Sequence, residues 1–104
     1  MIFHFQTSAI QWGDDDKDYF ESKLGSLTRY LGFEAGDEDS TECRVSIEPT
    51  KHHKGDRFEV RCTIHAPHGG KFHAEVSSST FKEGADQIHD KLKAQIVKFH
   101  GKHK

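Results

Sequence analysis

No stretch of this 104-residue chain is apolar for long enough to span a bilayer, which excludes a helical membrane protein. Cysteine is scarce. Cys43 and Cys62 are too few and too far apart for a disulfide scaffold, and neither belongs to a Cys-x-x-Cys pair, so reduced thiols are expected. The amino-terminal segment "MIFHFQTSAIQW" lacks the basic, then apolar, then small pattern of a secretory leader, and the expected location is the cytoplasm. A phosphate-binding glycine loop, a nucleophile elbow, and zinc-finger or zincin spacings are also missing, which leaves no enzyme motif. What is present is ordinary for a soluble domain, with 33% hydrophobic and 31% charged residues. The length suits one core and no second, so residues 1–104 are read as a single domain.

Charge is present but unevenly spread. Residues 1–50 carry eleven acidic and four basic side chains, and residues 51–104 carry six and eleven, so a formal total of −2 hides a dipole. The last eighteen residues, "QIHDKLKAQIVKFHGKHK", hold five lysines and one aspartate. Such asymmetry marks one surface for a polyanion, or it is a solvated helix face.

Periodicity places these charges. Strands are predicted over 2–7, 42–48, 57–66 and 71–77, each with residues of one face apolar: Phe3 and Phe5; Cys43, Val45 and Ile47; Phe58, Val60, Cys62 and Ile64; Phe72, Ala74 and Val76. A helix is predicted over 14–31, with Phe20, Leu24, Leu27 and Leu31 in one stripe, Asp14 to Asp16 at its amino-terminal end, Gly25 as a flaw, and Gly32 with Phe33 as its stop. A second helix over 80–100 opens with a Thr80/Glu83 capping box and carries Phe81, Ala85, Ile88, Leu92, Ile96 and Phe99 on its core face. At 100° per residue, Lys91, Lys98 and Lys102 fall on one flank of that stripe, and Lys82, His89, Lys93 and His100 on the other.

The order β-α-β-β-β-α predicts a two-layer α+β domain: a four-stranded mixed sheet, its first two strands parallel, the other three a meander, with both helices on one face. Cys43 and Cys62 should lie opposite or diagonal on neighbouring strands as packed thiols. The open sheet face would show Arg44, Ser46, Glu48, Glu59, Arg61, Thr63, His73 and Glu75. Without an aromatic platform it does not resemble a base-stacking RNA-recognition surface, so any nucleic acid is expected on the helices.

The segments "DYFESKLGSLTRYL", "RFEVRCTIHAPHGGKFHAEV" and "ADQIHDKLKAQIVKF" resemble the ribosome hibernation-promoting factor family, also called protein Y or sigma-54 modulation proteins, over nearly the whole chain. The resemblance implies a fold related to double-stranded-RNA-binding domains and a protein that sits in the mRNA and tRNA channel of the small ribosomal subunit. It implies reversible silencing of translation in stress or stationary phase, a monomer when free, no cofactor and no enzymatic activity. Lys23, Arg29 and Tyr30 match basic and aromatic positions of the family's first helix, Lys91 and Lys98 basic positions of its second, and Asp86 and Asp90 acidic ones. Ala94 stands where the family usually has arginine, Ser22 and Ser26 replace common lysines, and Lys82 replaces a common tyrosine. Ending at "GKHK", the chain is expected to be the short form, without the extra domain or acidic tail of other members. The candidate RNA-binding residues are thus Lys23, Arg29, Tyr30, Lys82, His89, Lys91, Lys93, Lys98 and Lys102, with rRNA of the small subunit, and hence the whole ribosome, as partner.

Nine histidines raise an alternative, a small histidine-rich metal-binding stress protein, through His52 and His53 or through His65, His68 and His73. Zinc would need three or four of them to converge tetrahedrally, and no spacing here calls for that. A third possibility is a protein-interaction module using the acidic first half, whose loop from Glu34 to Glu42 is expected to face away from the basic helix.

Overall fold

The computed structural model describes residues 1–8, 10–31, 37–50, 57–67 and 70–102, without the side chains of Glu38, His100 and Lys102. Its elements are β1 (Ile2–Thr7), α1 (Asp14–Gly25), a 3-10 segment (Ser26–Tyr30), a one-turn helix α2 (Asp37–Ser40), β2 (Glu42–Pro49), β3 (Phe58–Ala66), β4 (Gly70–Ser78) and α3 (Phe81–Lys102). The strands lie in the order β1-β2-β3-β4, with β1 parallel to β2 and the remaining pairs antiparallel. A helix between β1 and β2 returns the chain to the same end of the sheet, which is why that pair alone is parallel.

Alternation along the strands gives the sheet one buried face. Cys43, Val45, Ile47, Val60, Cys62, Ile64, Phe72, Ala74 and Val76 pack against Phe20, Leu24, Leu27 and Leu31 from the first helical segment and against Ala85, Ile88, Leu92 and Ile96 from α3. The fold is therefore the expected two-layer α+β arrangement, with both helices on one face. Val45 pairs with Cys62 and Cys43 with Ile64, so the two cysteines are diagonal neighbours. They remain free thiols, with their sulfurs 3.5 Å apart. The hydrogen bond to Cys43, followed by burial, pushes the Cys62 thiol far above its ordinary pKa, so it has no reactive thiolate.

Three local features depart from the sequence expectation. The helix predicted over 14–31 changes at Gly25 into 3-10 geometry, where the Ser26 hydroxyl donates to the Lys23 carbonyl at 2.6 Å and competes with the α-helical ladder. The loop predicted over Glu34 to Glu42 contains α2, closed by the Thr41 hydroxyl donating to the Asp37 carbonyl at 2.8 Å. At the start of α3 only half of the capping box forms. The Glu83 N–H donates to Thr80 Oγ1 at 3.1 Å, whereas the Glu83 carboxylate is taken by Ser79 and Gln87. The Gly32/Phe33 stop, the centre of the first hairpin loop at 51–56, and His68 and Gly69 of the second lie outside the described residues.

The single tryptophan, in the connection after β1, has the central place in a chain of rings. Trp12 meets Phe5, Phe20 and Phe81 edge-on at 5.2, 5.8 and 6.0 Å, and Phe81 stacks on Phe58 at 4.4 Å. Edge-to-face contacts of this kind contribute about 0.5–1.5 kcal/mol each beyond burial. They close the end of the core where β1 and the start of α3 meet.

Two glycines should respond oppositely to substitution. A Cβ at Gly84 would lie 2.8 Å from Ser78 Oγ and 3.0 Å from Val60 Cγ2, while one at Gly25 would meet nothing within 4 Å on right-handed helical backbone. Gly25→Ala should raise the melting temperature, by about 0.4–1 kcal/mol of added stability. Gly84→Ala should lower it, because overpacking costs about 1–3 kcal/mol and outweighs the better helix propensity. Thermal unfolding of both variants checks this, and the same sign for the two would refute the close approach of α3 to the sheet.

Candidate nucleic-acid interface

The stripe that docks α3 also aims its flanks. One flank faces the first helical segment. The ammonium of Lys82 lies 5.4 Å from the centre of the Tyr19 ring, and that of Lys93 lies 5.0 Å from the centre of Tyr30. Between these pairs, Tyr19 donates its hydroxyl to the Asp86 carboxylate, and Lys23 stands 3.6 Å from the same carboxylate. Residues 19, 23 and 30 thus meet 82, 86 and 93 in ascending order, so the two helical segments run in the same sense. Arg29 is exposed beside Tyr30. The result is a groove with three cations, two rings and one carboxylate that already has two partners, with Arg29 at its border.

Rings beneath the ammonium groups have a physical use. A lysine over a tyrosine face gains about 0.5–1 kcal/mol at an exposed site and is held in a narrower range of positions. An ammonium so placed keeps N–H donors that phosphate oxygens can accept. Asp86 holds the Tyr19 phenol above the ordinary tyrosine range, first by accepting its hydrogen bond, with desolvation and the nearby negative charge adding to the effect. Tyr19 therefore stays a neutral donor.

The other flank of α3 faces the edge of the sheet. Gln95 donates to the His73 carbonyl at 2.7 Å and accepts from the His73 N–H at 3.2 Å, while Lys91 donates to the Glu75 carbonyl at 3.1 Å. Lys91 is thus turned toward β4, away from the groove that contains Lys82 and Lys93. Lys98 lies with Asp90, Lys93, Ala94 and Val97 around a shallow outer patch, at which Val97 is 51% exposed. His89, whose side chain is 13% exposed, is tied to Asp90 at 3.0 Å. The Lys102 side chain lies outside the described residues.

Of the nine candidate residues, then, Lys23, Tyr30, Lys82 and Lys93 come together in the groove with Arg29 at its border. Lys91 is turned to β4, Lys98 shares the outer patch with Lys93, and His89 is held in a local pair. Sequence reasoning missed Tyr19, although its spacing of four from Lys23 put both on one helical face. Among the described residues, no three histidine, cysteine, aspartate or glutamate side chains are grouped so as to hold a metal ion. His52, His53 and His68 lie outside the described residues.

The family model for sigma 54 modulation protein / S30EA ribosomal protein matches residues 3–104. The chain belongs to this family. Among curated proteins, none matches the chain. Among solved structures, it is similar to the Protein Y N-terminal domain of Thermus thermophilus, with a TM-score of 0.73 and 22% identity over 95% of this chain and 99% of that one. At that identity the likeness speaks for the fold. Over residues 3–104 this member of the S30EA family presents the groove between its two helical segments on the side opposite the open sheet face.

The Tyr19 contact can be tested by titration. In a Tyr30→Phe background only one phenol remains, and Asp86→Asn should bring its ionisation midpoint down toward the ordinary tyrosine value. An unchanged midpoint, read by ultraviolet absorbance, would mean that the Tyr19–Asp86 bond is not made in solution.

Proposed function

We propose that this member of the sigma 54 modulation / S30EA family is a ribosome hibernation factor. In this reading it binds the small ribosomal subunit in the mRNA and tRNA channel through rRNA contacts, and it blocks translation reversibly in stress or stationary phase. The observation that carries the reading is the family match over residues 3–104, whose description names a ribosomal protein. The groove supports it chemically. Folded RNA is recognised largely through phosphates, riboses and shape, and Lys23, Lys82 and Lys93 with Arg29 offer charge while Tyr19 and Tyr30 offer flat surface.

Position within α3 supports it too. After Asp90 the sequence has five lysines and no acidic side chain, so positive charge gathers in the second half of α3, which includes Lys93 over Tyr30. A domain held there by phosphate contacts would exclude mRNA and tRNA by occupancy alone and would need no chemistry. Because such contacts release counterions on forming, their strength is set by salt, and the complex can be undone without covalent change.

Co-sedimentation with small subunits and whole ribosomes tests the proposal. Replacing Lys91 and Lys98 together with alanine should weaken pelleting and flatten its salt dependence by about 0.7–0.9 log units for each phosphate no longer neutralised, while the melting temperature falls only slightly through loss of the exposed Lys91–Glu75 bond. Replacing Lys82 and Lys93 should do the same. Full binding with an unchanged salt slope in both double variants would sink the assignment of the helix side.

Cell-free translation at fixed salt gives the complementary readout. Charge reversal of Lys91 and Lys98 should abolish inhibition, and neutralising Asp39, which is exposed on α2, should leave inhibition intact or slightly stronger. Asp37 is buried and is therefore unsuited as a surface control. The opposite pattern would mean that the partner is a protein or a cation and that the basic helix is only a solvated surface.

A further inference from the structure

The open face of the sheet has a grid that the helix-side reading leaves unused. Strand register places His4, Arg44, Thr63 and His73 in one row across the sheet, and Gln6, Ser46, Arg61 and Glu75 in the next. Arg44 and Arg61 are therefore diagonal neighbours on β2 and β3, with Ser46 and Thr63 at the other two corners. A concavity of about 330 Å³ lies over this square, lined by side chains of His4, Gln6, Arg44, Ser46, Arg61 and Thr63, and among the described residues no carboxylate lines it. That is within the size range of small-ligand sites.

Four carboxylates border this square: Glu42 and Glu75 at its sides, and Glu48 and Glu59, opposite each other in register, in the row beyond Ser46 and Arg61. Glu42 accepts from His4 at 3.0 Å, and Glu75 lies 3.1 Å from Arg61 Nε and 3.3 Å from His73 Nε2. Arg44 has Glu42 only at 3.8 Å and its side chain is 69% exposed, so its planar fork keeps nearly all of its five donors for something else. Arg61 is tied through Nε to Glu75, while one terminal nitrogen is 3.9 Å from Glu59, beyond a hydrogen bond. The Thr63 hydroxyl is engaged with His73 Nδ1 at 2.7 Å, which leaves the Gln6 amide and the Ser46 hydroxyl as the neutral donors at the concavity.

Two forked cations on a diagonal, neutral donors beside them and no acid between them match a tetrahedral anion with several acceptor oxygens. Absence of aromatic rings excludes base stacking here but not contact with phosphate. We propose that Arg44 and Arg61, with Gln6 and Ser46, form a phosphate-binding site for the backbone of a nucleic-acid strand on the sheet face, opposite the helix groove. The site is independent of the helix-side interface. With one site on each face of a two-layer domain, two separate strand segments can be held at once.

Nuclear magnetic resonance titration of the whole chain tests this with three probes: inorganic phosphate, adenosine monophosphate and a short single-stranded oligoribonucleotide. The oligoribonucleotide should shift the backbone amides of Arg44, Ser46 and Arg61, phosphate should shift the same amides at millimolar concentration, and the mononucleotide should bind more weakly than the strand. Arg44→Gln with Arg61→Gln should weaken strand binding at this face by about tenfold or more, with a salt slope smaller by about 0.7 for each phosphate no longer neutralised. Ser46→Glu keeps both arginines and sets a carboxylate between them, so it should abolish the shifts without lowering the melting temperature, which guards against a folding artefact in the double variant. Mononucleotide binding as tight as the strand would overturn the strand as the source of the phosphate. Silent sheet amides with every probe, or unchanged affinity in both variants, would overturn the site itself. Ribosome pelleting does not enter this test, so its failure and that of the helix-side reading are separable.

Discussion

Everything positioned in this domain depends on the burial of one side of α3. Ile88, Leu92 and Ile96 are fully covered, each contributing about 1.5–3 kcal/mol, and Ala85 and Gly84 let the helix start come close to Val60 and Ser78. Successive residues point 100° apart, so this stripe allows only one rotation of the helix about its axis. That rotation sends Lys82, Asp86 and Lys93 toward the first helical segment and Lys91 and Gln95 toward β4. A slip of one residue would bury a lysine or an aspartate and undo both sets of contacts. The core thus acts as the jig for the surface.

The same helix protects the sheet. β4 is an edge strand, and its outward N–H and C=O groups are a template for unwanted pairing. At His73 the Gln95 amide supplies both a donor and an acceptor, as a neighbouring strand would, and Lys91 takes the next outward carbonyl at Glu75. At the other edge, the N–H groups of Ile2 and Ser8 reach across to Thr41 and Ile47, so the alternate residues Phe3, Phe5 and Thr7 turn their backbone outward. Here the strand is only six residues long, and the Lys17 ammonium lies 5.7 Å from the centre of the Phe5 ring. A short strand with a charge beside it is a second way to discourage pairing.

What could be read from the sequence is what repeats. Period two gave the strands and their wet face, and periods of three and four gave the stripe of α3, so the sheet order and the two layers followed from the order of elements. The change to 3-10 geometry after Gly25 was half legible: the glycine flagged a weak point, but the Ser26 hydroxyl that tips the balance acts through a local bond with no periodic trace. Trp12 had no trace either, since it lies between elements and its ring partners come from β1, α1 and α3. The flanks of α3 were legible as rows of lysine. Their partners were not, because a Lys93–Tyr30 or Gln95–His73 contact depends on how two elements are rotated against each other. Absence of sheet aromatics ruled out stacking but did not address phosphate contact, which needs only aimed donors.

The uneven distribution of charge along the chain is also favourable for the helices that carry it. Asp14, Asp15 and Asp16 occupy the first turn of α1, and Asp16 accepts from the Gly13 N–H at 3.0 Å, where the positive end of the helix dipole lies. Lys23 lies in the last turn of α1 and Arg29 in the last turn of the 3-10 segment, and α3 continues after Asp90 with lysines alone among its charged residues. Within the first or last turn such placements stabilise a helix by about 0.3–1 kcal/mol each at low salt. Since the two helical segments run in the same sense, the acidic start of α1 and the Lys82–Glu83 start of α3 point one way and both basic ends the other. Antiparallel helices with these charges would have placed the basic end of α3 beside the acidic start of α1 and weakened the field. Parallel packing keeps the field and the helix stabilisation together, which is how a chain with a formal charge of −2 can present a positive surface without cost to its fold.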